Sequence, residues 1–595
     1  MTWFVPHRVA APRSVGKPAR RAPLHSIAAY DRLVTPAATA DTTAITDADT
    51  PAAEAAATAP HGEDTPEPAS APSGRVPPVV RRRLLPFDAR LDPYSWVATG
   101  VVGLIAAILR LVGLGHPPGK IFDETYYAKD AWGLIQRGVE WNYKDNAPSY
   151  VVHPPLGKWL IGLGEWAFGY ADPDSHVKAA GHLTTTAPEF GWRISAAIAG
   201  IASVLILTRL ARRLFHSTIL GCAAGLLMAL DGMHLVLSRT ALLDIFLMLF
   251  VLAAFAALVI DRDVRRRRWL TAMAGGLDPS QPGPAGRLPF RFPGSVPWWR
   301  LLAAVLLGCA LAVKWSAIWF VPVFALLAWV WEAGARKSAG VRRPWRDAII
   351  DEFGWFLLFG VLIVATYLAG WTGWFLTDDG YFRHWLADTG HPEPPIIGAL
   401  QNLLHYHEEA YKFHTTLHAE HKYQSWPWQW LLLGRPVAFY WSSQGPCGAS
   451  SCASEVVLLG TPVLWWSFLP ALAGLAWVGI ARRDWRAGAI GLVVAAGLLP
   501  WFYYALDGRT MFFFYALPAE PFLVLAVVYV LGAIMTPVHP HAASSVDRRL
   551  VGAVVAGSYV LLVAVCFAYF YPIFIGQHIP YADWSARMWL GGRWI

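Results

Sequence analysis

Two adjacent carboxylates, Asp123 and Glu124, open the aromatic run "KIFDETYYAKDAW" a few residues beyond an apolar stretch. Neighbouring side chains on a helix point about 100° apart, so the two are not suited to one task. A carboxylate at the edge of a lipid phase is partly desolvated, which raises its pKa and its strength as a base. Such a base could deprotonate an alcohol that attacks a donor held in the membrane. The competing role is an acidic helix start, with the carboxylates stabilising the positive end of a helix dipole.

Several cations could complement that chemistry. Arg193, in "EFGWRISAAIAG", stands at the entrance of the second apolar segment, and Arg110, in "AILRLVGLG", near the end of the first. Arginine in an apolar helix is costly and faces a partner or a polar cavity. Its planar fork matches phosphate oxygens, the charge stabilisation that a lipid-phosphate leaving group needs. Snorkelling to headgroups is the alternative, and it fits Arg110 better than Arg193. In "SYVVHPPLGKWLIGLGEWAFG", His153 and two prolines form a rigid turn into an amphipathic stretch expected to lie in the interface. Lys158 there could meet a phosphate, although snorkelling is favoured. Asp231, Arg239 and Asp244 surround one turn; Asp244 falls inside an apolar helix, and Arg239 is a candidate for its ion-pair partner. Arg509, in "LDGRTMFFFYALPAEPF", is a further phosphate candidate.

A second polar stretch holds His405, His407, His414, His418 and His421. The spacing of His414 and His418 would allow chelation on a helix, but there is no HExxH. A hydrogen-bonding, aromatic surface able to stack on a sugar or a peptide is favoured over a metal site.

These residues must be positioned by a membrane framework. The chain has 595 residues, 55% hydrophobic and 15% charged, with 31 Trp. A soluble protein carries about 25% charged residues. Apolar runs at about 95–115, 192–210, 217–236, 241–260, 301–313, 315–333, 352–372, 457–480, 487–505, 511–534 and 549–571 predict roughly eleven transmembrane helices. Arginine-rich connections such as "DRDVRRRRW" and "ARKSAGVRRPWR" alternate with connections holding little beyond Arg239, Lys314 and Arg509. That bias predicts a cytoplasmic N-terminus and an extracytoplasmic C-terminus, and it accounts for the net charge of +8 without nucleic acid. The division at Lys314 is the least secure; one long helix there would break the alternation.

Residues 1–92 are rich in Ala, Thr and Pro and are expected to be a disordered cytoplasmic tail ahead of a membrane domain, 93–595. Two long external loops follow, about 116–191 and 373–456, the first with interfacial helices. The C-terminal tail, rich in Trp and Tyr, suits the membrane interface. Of five cysteines, Cys447 and Cys452 share one polar loop and could form a disulfide; free thiols are the alternative.

The stretches "FDETYYAKDAW", "HPPLGKWLIGLG", "EFGWRISAAIAG", "LSRTALLDIFLMLF", "ALAVKWSAIWF", "YQSWPWQWLLLGRPV" and "FFFYALPAEPF", in order over most of the chain after residue 95, resemble the protein O-mannosyltransferases, integral-membrane glycosyltransferases of the GT-C class. The resemblance is to the actinobacterial branch, because the second loop has no β-trefoil insertion. It implies an all-α polytopic GT-C fold and transfer of mannose, with inversion, from polyprenyl-phosphate mannose to Ser/Thr hydroxyls of exported proteins at the outer face of the cell membrane. It also implies that Asp123 is the general base, that Glu124 shapes the site or holds the acceptor, and that Arg193 binds the donor phosphate; Arg509 and Lys158 stand beside it as the phosphate candidates read from the residues themselves. The matching stretches add His153, Arg110, Arg239, Asp244, Lys314, Tyr423 and Trp426 as support. No tightly bound cofactor or metal is implied; the Sec machinery is a possible partner. The rival readings are a related GT-C transferase with another lipid-linked sugar or a cell-wall acceptor, and a transporter or flippase. The gathering of polar residues at one end of the helices disfavours the transporter.

Overall fold

In a computed structural model of the chain, residues 76–85, 92–183, 188–535 and 545–594 are described. The expected disordered tail lies outside them except for residues 76–85 and 92. Within that exception Pro78–Leu84 is a short helix whose Leu84 packs against Trp269, Ala335 and Ala339.

Among the described residues, nine helices are long and apolar enough to cross a membrane: Pro93–Leu111, Pro188–Phe215, Asp244–Ala274, Trp315–Ala339, Pro344–Gly370, Pro462–Arg482, Trp485–Leu506, Phe513–Met535 and Asp547–Phe574. The other two expected segments are a bent pair, Thr218–Ala229 with Gly232–Ser238, and the shorter helix Trp298–Val313. Local chemistry sets the starts. Asp92 accepts from the Ser95 amide and Ser217 from the Leu220 amide, and Pro93, Pro344 and Pro462 stand in first turns, where no amide donor is needed. At Lys314 the backbone is extended (φ −156°, ψ 134°), so two helices do part there.

The bent pair turns by 66° around Asp231, whose carboxylate accepts from the Thr461 amide (2.9 Å), the Trp465 indole (2.8 Å) and the His234 amide (3.0 Å). Gly232 is required next to it: a Cβ there would lie 2.3 Å from both the Leu459 carbonyl oxygen and the Phe574 ring.

At one end of the bundle stand the long loops. The first contains helices Glu124–Arg137 and Leu156–Phe168, packed together, and two small hairpins, 141–142 with 147–148 and 170–172 with 177–179. The second contains helix Ile397–Thr416 and strands Val437–Ser442 and Cys452–Leu458. The C-terminal tail departs from a purely interfacial role. Ile579–Pro580 pairs with Cys452–Ala453 as the third strand, the Trp584 indole donates to Glu455 (2.5 Å), and the buried Trp594 indole donates to the Leu433 carbonyl (2.8 Å). Cys447 and Cys452 are joined in a disulfide beside this sheet, and Cys222, Cys309 and Cys566 are free thiols.

The opposite end is tied by buried ion pairs between four helices. Arg265 pairs with Glu332 (2.9 Å) and Glu352, Arg300 with Asp261 (3.0 Å) and Glu352 (3.0 Å), and Arg336 with Glu332. Much of the arginine in these connections therefore makes specific buried contacts. Glu332 sits among three guanidinium groups, so Glu332→Ala should destabilise the protein by about 3–5 kcal/mol by leaving buried charge uncompensated. The check is the thermal unfolding midpoint of the purified protein; an unchanged midpoint would contradict it.

Candidate active site

The Glu124–Arg137 helix begins abruptly. Phe122 is held in the left-handed region (φ +48°), which an aromatic residue adopts only at a cost. Its ring is fixed by stacking on Phe439, 4.4 Å between centroids and 7° between planes. The turn leaves Asp123 half-buried and drives Glu124 fully into the protein.

Glu124 is fully buried and fully satisfied. It accepts from Arg193 Nε (2.9 Å) and Nη2 (2.8 Å) in a bidentate pair, and from the Ile121 (3.0 Å) and Ala241 (2.9 Å) amides. Arg193 uses its other N–H groups on the Leu114, Pro117 and Gly119 carbonyls at 3.3, 2.8 and 2.9 Å. All five guanidinium protons are thereby engaged and the side chain is 0% exposed. The expected phosphate contact is thus replaced: Arg193 is the clasp that ties the loop after the first membrane helix to Glu124.

Three further expected cations are also structural. Lys158 is buried, with Nζ 2.5 Å from Glu140 and 3.1 Å from the His153 carbonyl, so it neither reaches a phosphate nor snorkels. Arg110 Nη2 is 2.6 Å from His234 Nδ1, in the buried core. Arg239 does not pair with Asp244; it caps the first membrane helix by donating to the Leu109, Arg110, Val112 and Gly113 carbonyls. The partner of Asp244 is Lys314, at 2.9 and 3.1 Å from its two oxygens.

Asp123 differs from all of these. It is half-buried, and no hydrogen bond to its carboxylate is found among the described residues. Burial pushes its pKa up to about 6; the Lys314 charge pulls it down and the Asp244 charge raises it. It is therefore ionised at neutral pH yet markedly more basic than an ordinary aspartate.

Lys314 also lines a cavity of about 520 Å³. Its lining is mixed: apolar residues Leu311, Ile318, Trp319, Ile363 and Val364 on one hand, and Lys314, His153, His414 and Arg509 on the other. Arg509 donates to the His414 carbonyl (2.9 Å), the Thr510 carbonyl (3.2 Å) and His414 Nδ1 (3.5 Å), which leaves two of its five N–H groups for a ligand. Burial brings His414 down to about 4, the Val152 carbonyl opposing this and the Arg509 and Lys314 charges adding to it. The ring is neutral, and Nε2–H donates to the Val152 carbonyl at 3.0 Å. Burial likewise holds His153 well below its ordinary value.

A second hollow, about 370 Å³, is lined by Tyr126, Lys129, Asp130, Tyr150 and Val151. Tyr126 stands three residues after Asp123, on the same helix face. Val151 in this hollow is followed by Val152 and His153 in the large cavity, so the two spaces share one wall.

Tyr423 and Trp426 line neither space. Tyr423 is covered by Arg435, and Trp426 stacks on Trp428. His418 lies beyond the Ile397–Thr416 helix, so the chelating pair with His414 does not form. Among the described residues no group of three or more His, Cys, Asp or Glu is arranged around a metal position. Tyr367, Trp315 and Tyr515, which the sequence reading did not single out, line the cavity. The Tyr367 hydroxyl accepts a hydrogen bond from the Trp315 indole (3.0 Å) and meets His407 Nε2 (2.5 Å), fastening the Ile397–Thr416 helix beside the cavity. A tyrosine deep in an apolar run was the available signal.

Two family models match the chain: dolichyl-phosphate-mannose-protein mannosyltransferase over residues 100–280, and the C-terminal four-transmembrane region of protein O-mannosyltransferase over residues 399–594. A polyprenol-phosphate-mannose–protein mannosyltransferase of Mycolicibacterium smegmatis is 40% identical over 512 residues, 83% of this chain and 92% of the relative. The chain belongs to the protein O-mannosyltransferase family. The Mycobacterium tuberculosis relative of the same name is 38% identical over 516 residues, 83% of this chain and 91% of its own. The fold is shared with the Saccharomyces cerevisiae Pmt1–Pmt2 complex bound to the sugar donor, with a TM-score of 0.63 at 15% identity over 87% of this chain and 94% of that one. This protein O-mannosyltransferase family member is accordingly a multi-pass membrane glycosyltransferase with the GT-C fold.

The clasp makes a specific prediction. Arg193→Ala strands the Glu124 carboxylate, so the thermal midpoint should fall, by about 3–5 kcal/mol in stability, together with activity. A variant with wild-type stability and selectively weakened donor binding would return Arg193 to the phosphate site.

Proposed function

We propose that the protein transfers mannose from polyprenyl-phosphate mannose to Ser or Thr hydroxyls of exported proteins, at the extracytoplasmic face of the membrane and with inversion at the sugar. The observation that carries this reading is the half-buried Asp123 carboxylate, without a hydrogen-bond partner among the described residues and within the field of Lys314, which faces a cavity of mixed apolar and cationic lining. The names of the mycobacterial relatives supply the donor and the acceptor class. The arginine-rich connections at the end opposite Asp123 supply the orientation.

The prenyl chain lies against the apolar lining of the cavity, Ile318, Ile363 and Val364. Its phosphate meets the two unused N–H groups of Arg509, with Lys314 close by. The acceptor polypeptide approaches from the hollow lined by Tyr126 and Tyr150, Tyr126 standing one helical turn from Asp123. Asp123 takes the hydroxyl proton as the oxygen attacks the anomeric carbon from the side opposite the phosphate. The carbon–oxygen bond to phosphate breaks, and the phosphate leaves with the electron pair. Arg509 stabilises that charge in a site with little water. The lipid phosphate is released, and Asp123 returns its proton to solvent. One displacement exchanges a β-linked donor for an α-linked product.

Purified protein incubated with synthetic polyprenyl-phosphate mannose and a Ser/Thr peptide should add one hexose to the peptide, read by mass spectrometry; no gain in mass would contradict the reading. Asp123→Asn should lower transfer by about 10²–10⁴-fold with donor binding retained. Arg509→Ala removes charged hydrogen bonds of about 1.5–3 kcal/mol, so donor affinity should fall about tenfold or more. Unchanged donor affinity would exclude Arg509 from the site.

A further inference from the structure

The arginine-rich end holds a second polar cavity, of about 380 Å³, that the transfer reaction does not use. It lies where the helices Pro188–Phe215, Asp244–Ala274, Phe320–Ala339 and Trp485–Leu498 come together with Pro78–Leu84. Along the Asp244–Ala274 helix, at 1.5 Å per residue, Arg262 is about 27 Å from Asp244. The two sites are therefore separate.

Five arginines line this space: Arg83, Arg213, Arg262, Arg266 and Arg486. They face two carboxylates, Asp263 and Asp484, and His216. Asp263 is shared by Arg213 (2.7 Å) and Arg262 (3.1 Å), and Asp484 is held by Arg486 (2.6 Å) and by the Tyr529 hydroxyl (3.2 Å). Among the described residues the arginines outnumber the carboxylates five to two in a confined space. Arg262 has a side chain only 10% exposed, and its guanidinium carbon lies over the Trp485 ring, 3.6 Å from the centroid. Stacking of this kind leaves the edge of the guanidinium plane for planar, bidentate recognition. The Nε–H groups of both Arg262 and Arg266 are buried and have no hydrogen-bond partner among the described residues. A buried donor without an acceptor is destabilising, so an oxyanion bound by these two Nε–H groups would supply the acceptors they lack. Leu214, Val259 and Trp485 give the cavity an apolar wall. Basic pockets between membrane helices take phosphate headgroups by this combination.

We propose that this cavity binds a phosphate-bearing anion, held by Arg262 and Arg266. The shared chemistry is a phosphate oxygen pair; the source is an anionic phospholipid headgroup or a soluble phosphate.

The test uses the full-length purified, delipidated protein. Its thermal midpoint is followed in titrations with inorganic phosphate, with glycerol phosphate, and in nanodiscs of phosphatidylglycerol or of phosphatidylcholine, each against sodium chloride at equal ionic strength. A saturable rise with phosphate or glycerol phosphate assigns a soluble ligand; a rise only with phosphatidylglycerol assigns the lipid. Either supports the proposal if the Arg262→Gln/Arg266→Gln double variant needs at least tenfold more ligand. Ser338→Glu keeps every arginine and sets a carboxylate in the cavity wall, so it should cause the same loss should the double variant not fold. Mannosyl transfer in detergent should be unchanged in either variant. No rise beyond the chloride control in all four titrations, or an equal rise in wild type and variants, would overturn the proposal.

Discussion

The Glu124–Arg193 clasp is the interaction on which the site depends. Two charges are removed from solvent, which is tolerable only because every donor and acceptor is matched: four bonds reach the carboxylate and five leave the guanidinium. The pair joins the loop after the first membrane helix, the start of the Glu124–Arg137 helix and the start of the Pro188–Phe215 helix. With Phe122 locked by Phe439, the clasp leaves the adjacent side chain only one direction. Asp123 is thus available because Glu124 is not. The two neighbouring carboxylates divide the labour: one supplies geometry, the other basicity.

The same division separates the cations. Arg110, Arg193, Arg239 and Lys158 each bind partners within the protein, chiefly carbonyls or carboxylates. Lys314 is paired with Asp244 but also faces the cavity, and it acts on Asp123 through its field. Its charge keeps the carboxylate ionisable near neutrality while burial keeps it basic. Arg509 alone among the expected phosphate ligands keeps unused donors beside the cavity. On the proposed mechanism one substrate comes from lipid and the other from water, and a cavity lined by both fixed charges and apolar side chains suits that task.

Much of the framework was legible because bilayer thickness writes itself into the sequence. Each of the eleven apolar runs coincides with a helix or a broken helix, including the separation at Lys314. The family was legible from the stretches around Asp123, Arg193 and Lys314. Partnerships were harder to read. Asp244 was matched with Arg239, five residues away, whereas its partner Lys314 is seventy residues distant. Arg193 had the right chemistry for phosphate, and nothing local revealed that Glu124 would take its fork. The C-terminal tail showed interfacial aromatics, but its two-residue strand at Ile579–Pro580 is too short for any alternating pattern. Residue type reports what a side chain can do; what it does is fixed by contacts far away in sequence.

On the proposed mechanism Asp123 is a desolvated base, its pKa raised to about 6 by burial, and its ionisation gates transfer. The most direct test is the pH dependence of the transfer rate at saturating donor, with a peptide acceptor free of titratable side chains. The account predicts a plateau above about pH 7 and a fall approaching tenfold per pH unit below about 6, as the carboxylate becomes protonated. A rate that stays flat from about pH 5 to about pH 8 would contradict it.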